Sequence, residues 1–325
     1  MAINVLRYRT DGDPRWGVAR DGRITPIPGE YATTADLLRD GRGAAREAAT
    51  RADTPTIGEG EVEILSPITR NQQFVCQGVN YRDHMIEGGL DPDAKTFNMI
   101  FRKASSCIAP PSTDIVRPAR VRLLDYEIEL GIVLGREITG PVEVTARNLH
   151  EYVAGLVMTN DVSARDIQIP EMQFFKGKSF RTFGPTGPYL CLLDAEDFAR
   201  IPSLRLELRV NGEVRQSAPA GEMLVGPAET LTELSEVMDL FPGDLLATGT
   251  PAGVALKAPP KPVVLIGNFL PERVKWKLFV KGQLRSPKYL KPGDEIRSTI
   301  RSEDGKIDLG TQRNRVVAAG AKEAP

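Results

Sequence analysis

The chain has 325 residues, 41% hydrophobic and 26% charged, with a formal net charge of -1. That balance offers no overall field for nucleic acid or a membrane surface, and the length suits one large core or a small domain beside a larger one. The N-terminus, Met1-Ala2-Ile3-Asn4-Val5-Leu6, carries no signal-peptide pattern, and no segment approaches the ~20 apolar residues that span a bilayer. Cys76, Cys107 and Cys191 are odd in number and far apart. They predict reduced, buried thiols of a cytoplasmic protein rather than disulfides or a zinc site.

In chain order, residues 1–66 read as a small α+β unit. Arg15 to Ala19 and Arg23 to Ile27 predict two short strands joined at Asp21-Gly22, a hairpin turn signal. Helices are predicted at Thr33 to Leu38 and Ala44 to Ala52, and Ser66-Pro67 breaks the pattern. The larger unit, 67–325, is mostly strand. Val121 to Leu134 predicts one long strand. Leu204, Leu206, Leu208 and Val210 alternate with polar residues before an Asn211-Gly212 turn, predicting a hairpin with one buried face. Helices are predicted at Thr145 to Ala154 and from Thr230, whose spacing to Glu233 is that of a capping box, to just before Pro242-Gly243. The last eight residues read as a frayed tail.

Glu127 and Glu129 lie two apart, the spacing that puts both carboxylates on one face of a strand. They precede the apolar run Gly131-Ile132-Val133-Leu134, and Asp161 likewise follows an apolar stretch, Ala154 to Met158. Carboxylates at the ends of buried strands need a partner. Three of them without thiol or imidazole ligands describe a hard-cation site, with coordination positions left for a chelating substrate. His84 and Glu87, three apart, share a face of a helical turn, where the carboxylate can orient the imidazole as a base. Gly88-Gly89 then stops the turn and offers a hinge. His150 reads as a surface residue.

Five segments in order carry a family resemblance: Gly78-Val79-Asn80-Tyr81-Arg82-Asp83-His84, Asp125-Tyr126-Glu127-Ile128-Glu129, Asn160-Asp161-Val162-Ser163-Ala164-Arg165-Asp166, Gly177-Lys178-Ser179-Phe180 and Ala247-Thr248-Gly249-Thr250-Pro251-Ala252-Gly253-Val254. Together they closely resemble the fumarylacetoacetate hydrolase superfamily over residues 67 to about 256, and Lys291 to Ile296 also fits. The resemblance implies a mixed, β-rich α+β fold, a β-sandwich roll, usually a homodimer with one divalent cation per site. Mg²⁺ or Mn²⁺ is expected, and Ca²⁺ as a substitute. It implies Glu127, Glu129 and Asp161 as metal ligands, and His84, Glu87 and Lys178 as catalytic residues. Arg165, Gln168, Gly249 and Thr250 would hold the substrate's polar end, with Tyr81 a further contact.

The expected activity is metal-dependent hydrolysis of a C–C bond in a 1,3-diketo acid or acylpyruvate, in catabolism of an aromatic or cyclic compound. The same electron sink serves decarboxylation or isomerisation of 2-oxo and 2-hydroxy-diene dicarboxylic acids, and a non-catalytic binding protein is a third possibility. The sequence departs from the family pattern at Arg181, read as pointing outward, at Ala255, and over Lys257 to Leu290, an apparent insertion. That insertion predicts a surface hairpin forming a basic flap or an added dimer contact. From Lys257 to Lys291 it holds nine Lys or Arg against the single acid Glu272.

Overall fold

A computed structural model describes residues 2–51, 56–267 and 269–320. The expected frayed tail therefore lies mostly outside the described residues, as does Ala52 at the end of the second predicted helix. Among the described residues the architecture is mixed and β-rich, with two large sheets, one two-stranded ribbon and no closed barrel. The larger sheet runs Ile57–Gly58, Arg23–Pro26, Arg15–Arg20, Ile3–Arg9, Gly184–Leu192, Val153–Asn160, Ile128–Leu134, Leu245–Ala247, Phe74–Gly78 and Met99–Lys103. Ile3–Arg9 pairs antiparallel with Gly184–Leu192, so the sheet continues across the boundary near residue 66. The second sheet runs Glu213–Pro219, Arg205–Val210, Glu295–Arg301, Asp308–Ala318 and Ile115–Arg117.

At the centre, every residue of Ile128–Leu134 and of Val153–Asn160 is buried, as their unbroken apolar runs require of strands covered on both faces. Gln312, on the second sheet, donates through Nε2 to the carbonyls of Met158, Pro185 and Gly187 at 3.0, 3.1 and 2.8 Å, tying the two sheets together. The two predicted hairpins are present. Asp21 and Gly22 both have positive φ, as do Asn211 and Gly212, the conformation a tight turn of matching twist demands.

Five local expectations are corrected. The strand expected over Val121 to Leu134 is broken. Leu124–Asp125 pairs with Ser163–Ala164, and the main strand starts only at Ile128. The interruption has a cause in hydrogen bonding: the Glu127 N–H is taken by the Asn160 side chain and its carbonyl by the Asp161 N–H. The helix expected over 145–154 shrinks to Leu149–Tyr152, because Val153 already enters a buried strand. Thr230 does not cap a helix. The helix is Pro227–Ser235, with Pro227 in its first turn, and the Thr230 hydroxyl instead accepts from Gln77 Nε2 at 2.8 Å. The two helices expected near the N-terminus are one helical stretch, Thr34–Asp36, a π-turn Leu37–Gly41 and Arg42–Thr50. The insertion is not a hairpin of strands but two helices, Lys261–Gly267 and Glu272–Gln283. Its Arg/Lys spacing and Val274, Leu278, Phe279 pattern suit a 3.6-residue period better than alternation.

Arg181 and His150 are exposed, and all three cysteines are buried free thiols.

Candidate active site

The central strands deliver the carboxylates to one place. Glu127, Glu129 and Asp161 each offer an oxygen within 4.8 Å of the others, and all three are buried. Glu127 sits just before the strand Ile128–Leu134 and Asp161 just after Val153–Asn160, with Ile128 registered against Asn160. Antiparallel pairing thus brings the start of one strand beside the end of the next, which is why residues 34 positions apart in sequence meet.

Cations surround the cluster. Lys178, at the end of the helix Phe174–Lys178, donates to Glu127 Oε2 at 2.6 Å, Asp161 Oδ2 at 2.5 Å and Ser163 Oγ at 2.9 Å. Its three N–H donors are therefore all engaged by protein groups. Arg165 donates Nη2 to Glu127 Oε1 at 2.5 Å, Nε to Asp125 Oδ2 at 2.8 Å and Nη1 to Gln168 Oε1 at 2.8 Å. Burial alone would raise the Glu127 carboxyl, but Arg165 and Lys178, with His84 behind them, hold it well below the usual carboxylate range. Glu129 is treated differently. Its one polar partner among the described contacts is the Gly249 N–H, at 3.0 Å to Oε2. Burial, then the Asp161 and Glu127 charges, push its pKa well up. A buried carboxylate left without a cation while its neighbours are paired is the condition a bound divalent ion relieves. With an all-oxygen donor set, the triad fits a hard divalent cation.

His84 and Glu87 lie on a short helix, Arg82–Glu87, capped by Gly88 and followed by Gly89 at φ +75°. His84 Nδ1 stands 3.8 Å from Glu87 Oε2, within ion-pair reach but beyond hydrogen-bond length, and that nitrogen is buried with no hydrogen-bond partner. Glu87 Oε2 accepts from the Gly253 N–H at 2.9 Å. Burial would raise the Glu87 carboxyl, but His84, the Gly253 N–H and Lys288 outweigh it, so the group is held below its ordinary value. The loop before this helix is strained: Val79, β-branched, has φ +54°. Asn80 locks it in place, donating to the carbonyls of Val225 and Thr248 at 3.0 and 2.9 Å and accepting from the Val225 N–H at 3.0 Å. Tyr81 follows, 1% exposed, with its hydroxyl buried and unpartnered.

The expected site residues thus fall into groups. Glu127, Glu129, Asp161 and Lys178 form one cluster, and Arg165 and Gln168 join it by direct hydrogen bonds. Gly249, at φ +86°, approaches so closely that an added Cβ would lie 2.8 Å from Asn80 Cβ, and this lets its N–H reach Glu129. Thr250 is engaged in the fold. Its hydroxyl donates to the Ile128 carbonyl at 2.9 Å and accepts from Gln216 at 2.7 Å.

Two residues escaped the sequence reading. Lys103, fully buried, donates to Asp161 Oδ1 at 2.5 Å and to the Phe183 carbonyl at 2.8 Å. Its signal was parity: it shares a strand face with Met99 and Phe101, where a charge needs a partner. Asp125 accepts from Arg165 and from the N–H groups of Tyr126, Ala255 and Leu256, which fastens the 253–256 loop to the cluster.

Known proteins resemble this chain over most of its length. The family model for the fumarylacetoacetate (FAA) hydrolase C-terminal region matches residues 73–317. A mitochondrial oxaloacetate tautomerase of Rattus norvegicus is 32% identical over 288 residues, 88% of this chain and 80% of that protein. An oxaloacetate tautomerase of Bacillus subtilis is 35% identical over 243 residues, 74% of this chain and 70% of that one. Among solved structures, a fumarylacetoacetate hydrolase of Exiguobacterium antarcticum superposes with a TM-score of 0.71 at 32% identity, over 98% of this chain and 100% of that one. A 2-hydroxyhepta-2,4-diene-1,7-dioate isomerase of Mycobacterium marinum does so with a TM-score of 0.69 at 25% identity, over 98% and 99%.

Proposed function

The chain belongs to the fumarylacetoacetate hydrolase family, and from that premise we propose that it is a divalent-metal-dependent tautomerase or isomerase of a 2-oxo dicarboxylic acid of the oxaloacetate kind. The observation that carries this reading is the His84 imidazole, which turns its buried Nδ1 toward Glu87 Oε2 at 3.8 Å and lies close enough to the carboxylate triad for its charge to act on Glu127. Ketonising an enol to a 2-oxo acid adds a proton at C3 and releases the enol O–H proton to solvent, and the reverse reaction takes the C3 proton back, with no attacking water in either direction. The names of the rat and Bacillus subtilis relatives support the same reaction class, and this preference replaces C–C hydrolysis as the leading expectation.

Glu127, Glu129 and Asp161 would hold the cation, Mg²⁺ or Mn²⁺ by their all-oxygen chemistry. Such an ion supplies Lewis acidity, which makes the C–H next to the 2-oxo group more acidic. His84 moves the proton at C3, and Glu87 steadies the imidazolium that forms. In fully ionised form, Asp125, Glu127, Glu129 and Asp161 exceed Lys103, Arg165 and Lys178 by one negative charge. A divalent cation turns that excess positive, which suits an anionic enolate. The buried Tyr81 hydroxyl is a donor for the same charge. In this reading Arg165 and Lys178 position the ligands and balance their charge, and Gly249 fixes Glu129. All of these residues come from 67–325, with 1–66 extending the sheet. The active form is taken to be a homodimer.

Hydrolysis of a 1,3-diketo acid or acylpyruvate is the second reading. It is favoured by the 32% identity to the fumarylacetoacetate hydrolase of Exiguobacterium antarcticum, and the His84–Glu87 pair serves either reaction. Product analysis by NMR separates the two readings. The panel is oxaloacetate, acetylpyruvate, fumarylpyruvate and a 2-hydroxy-diene diacid, each with Mg²⁺, Mn²⁺ or EDTA. The proposal expects metal-dependent enol–keto or double-bond isomer conversion of the dicarboxylic acids without fragments. Release of pyruvate plus a second acid would overturn it in favour of hydrolysis.

A further inference from the structure

The insertion between the Gly253–Leu256 loop and the strand Glu295–Arg301 has a fixed base and an uncovered tip. At the base, Gln283 Nε2 donates to the Lys257 carbonyl at 2.7 Å, Tyr289 Oη donates to Gln283 Oε1 at 2.7 Å, and the Leu290 N–H donates to the Leu124 carbonyl at 2.8 Å. Phe279 and Val280 pack this end against the core. Beyond that clasp the apolar side chains face outward. Val263, Val264 and Leu265 of the helix Lys261–Gly267 are exposed, Leu265 at 63%, and Phe269 in the following turn is 84% exposed. On the second helix, Val274 and Leu278 share the outer face with Lys277 and Lys281.

The charge is as lopsided as the apolarity. Residues 257–291 hold nine of the chain's 42 Lys and Arg but only one of its 43 Asp and Glu. The rest of the chain is therefore acidic by nine charges, and the overall balance near zero conceals a basic arm on an acidic body. Among the described residues, Arg273, Lys277, Lys281 and Arg285 have no carboxylate partner.

We propose that the helical insertion 257–290 docks the enzyme on an anionic lipid bilayer surface, with Leu265 and Phe269 entering the headgroup boundary and the flanking lysines and arginines meeting lipid phosphates. Exposed apolar residues at a tip ringed by cations are what an interfacial anchor needs. The arm does not cross the membrane: no described helix is long and apolar enough to do so. A two-fold contact of arm on arm would set like charges together, so a second copy would have to seat the arm on its acidic body, an outcome that the oligomeric state distinguishes. A nucleic acid would use the cations but leave the apolar tip without a role.

Vesicle co-sedimentation of the intact enzyme tests this. The vesicles are phosphatidylcholine alone, or the same with about 30% phosphatidylglycerol, an anionic lipid. The proposal expects about tenfold more binding to the anionic vesicles at low salt, reversed above about 0.5 M salt. It expects that binding to be lost in both Leu265→Ser/Phe269→Ser and Lys277→Glu/Lys281→Glu. Thermal unfolding and turnover of the 2-oxo acid should stay at wild-type values in both, showing that the fold is intact. Equal binding to neutral and anionic vesicles, or no binding to either, would overturn the proposal. So would wild-type vesicle binding by Leu265→Ser/Phe269→Ser, which would mean a polyanion contact only. A fall from dimer to monomer in that variant, with no vesicle binding by the wild type, would assign the surface to a second copy.

Discussion

Lys103 and Asp161 meet in the core, Nζ to Oδ1 at 2.5 Å, with both side chains fully buried. Lys178 holds the other Asp161 oxygen at the same distance. Asp161 is thus fixed from two sides before any metal arrives. Burial would lower the Lys103 ammonium pKa, but Asp161, its leading electrostatic partner, more than compensates and keeps it charged. Replacing Lys103 by Met removes one cation and leaves a buried carboxylate short of a partner. Urea unfolding should show a loss of about 3–5 kcal/mol. A change below about 0.5 kcal/mol, the scale of an ordinary surface substitution, would show that the pair is not a structural tie.

Among the described residues no cation bonds Glu129, so its role is inferred to be ligation. Glu129→Ala should abolish turnover and weaken Mn²⁺ binding by more than the roughly 10–100-fold seen when only a supporting residue is changed. Calorimetric titration with Mn²⁺ measures this directly. Wild-type turnover in EDTA-stripped buffer would sink the metal assignment.

His84 is the one imidazole near the cluster. His84→Ala should slow enol–keto interconversion by about 10²–10⁴, while Mn²⁺ affinity stays near wild type, since the metal ligands are untouched. If turnover survived this change, proton transfer at C3 would have to be assigned to another group, with Tyr81 next in line.

Glu87 carries a pH signature. Its folded-state pKa is depressed below the ordinary value of 4.5, so its ionised form stabilises the fold. That contribution is present above the unfolded value and is lost as pH falls through the folded value. The difference in unfolding free energy between wild type and Glu87→Gln should therefore hold steady near neutrality and shrink below pH 4.5. A difference that grows as the solution is acidified would mean that the His84, Gly253 and Lys288 contacts do not favour the carboxylate.

That Glu127, Glu129 and Asp161 would meet, and that His84 and Glu87 would share a helical turn, was legible because their spacing matches strand ends and a turn of helix. What the sequence concealed was relational. Nothing in Lys103 alone announces that it will be paired with a residue 58 positions away. Asp125 and Asn80 act by binding backbone groups of distant loops, a role any short polar residue can take. The break at Tyr126-Glu127 was hidden because side-chain competition from Asn160 for a backbone N–H leaves no periodic trace. In the insertion, Trp276 to Val280 followed by Lys281-Gly282-Gln283-Leu284 suggested a hairpin, and Pro259-Pro260 and Pro262 gave no sign of a helix ahead of it. Proline is equally at home in the first turn of a helix, where Pro262 in fact lies.

Proton transfer on a metal-activated 2-oxo acid is the proposed work of this site. The direct test is to follow the decay of freshly dissolved enol-oxaloacetate by ultraviolet absorbance, with Mn²⁺ and with EDTA, while assaying for pyruvate and CO₂. Acceleration over buffer by about 10²-fold or more is expected with Mn²⁺, abolished by EDTA and by His84→Ala, with neither pyruvate nor CO₂ released. Decay at the buffer rate in the presence of Mn²⁺, or decay accompanied by stoichiometric CO₂, would contradict it.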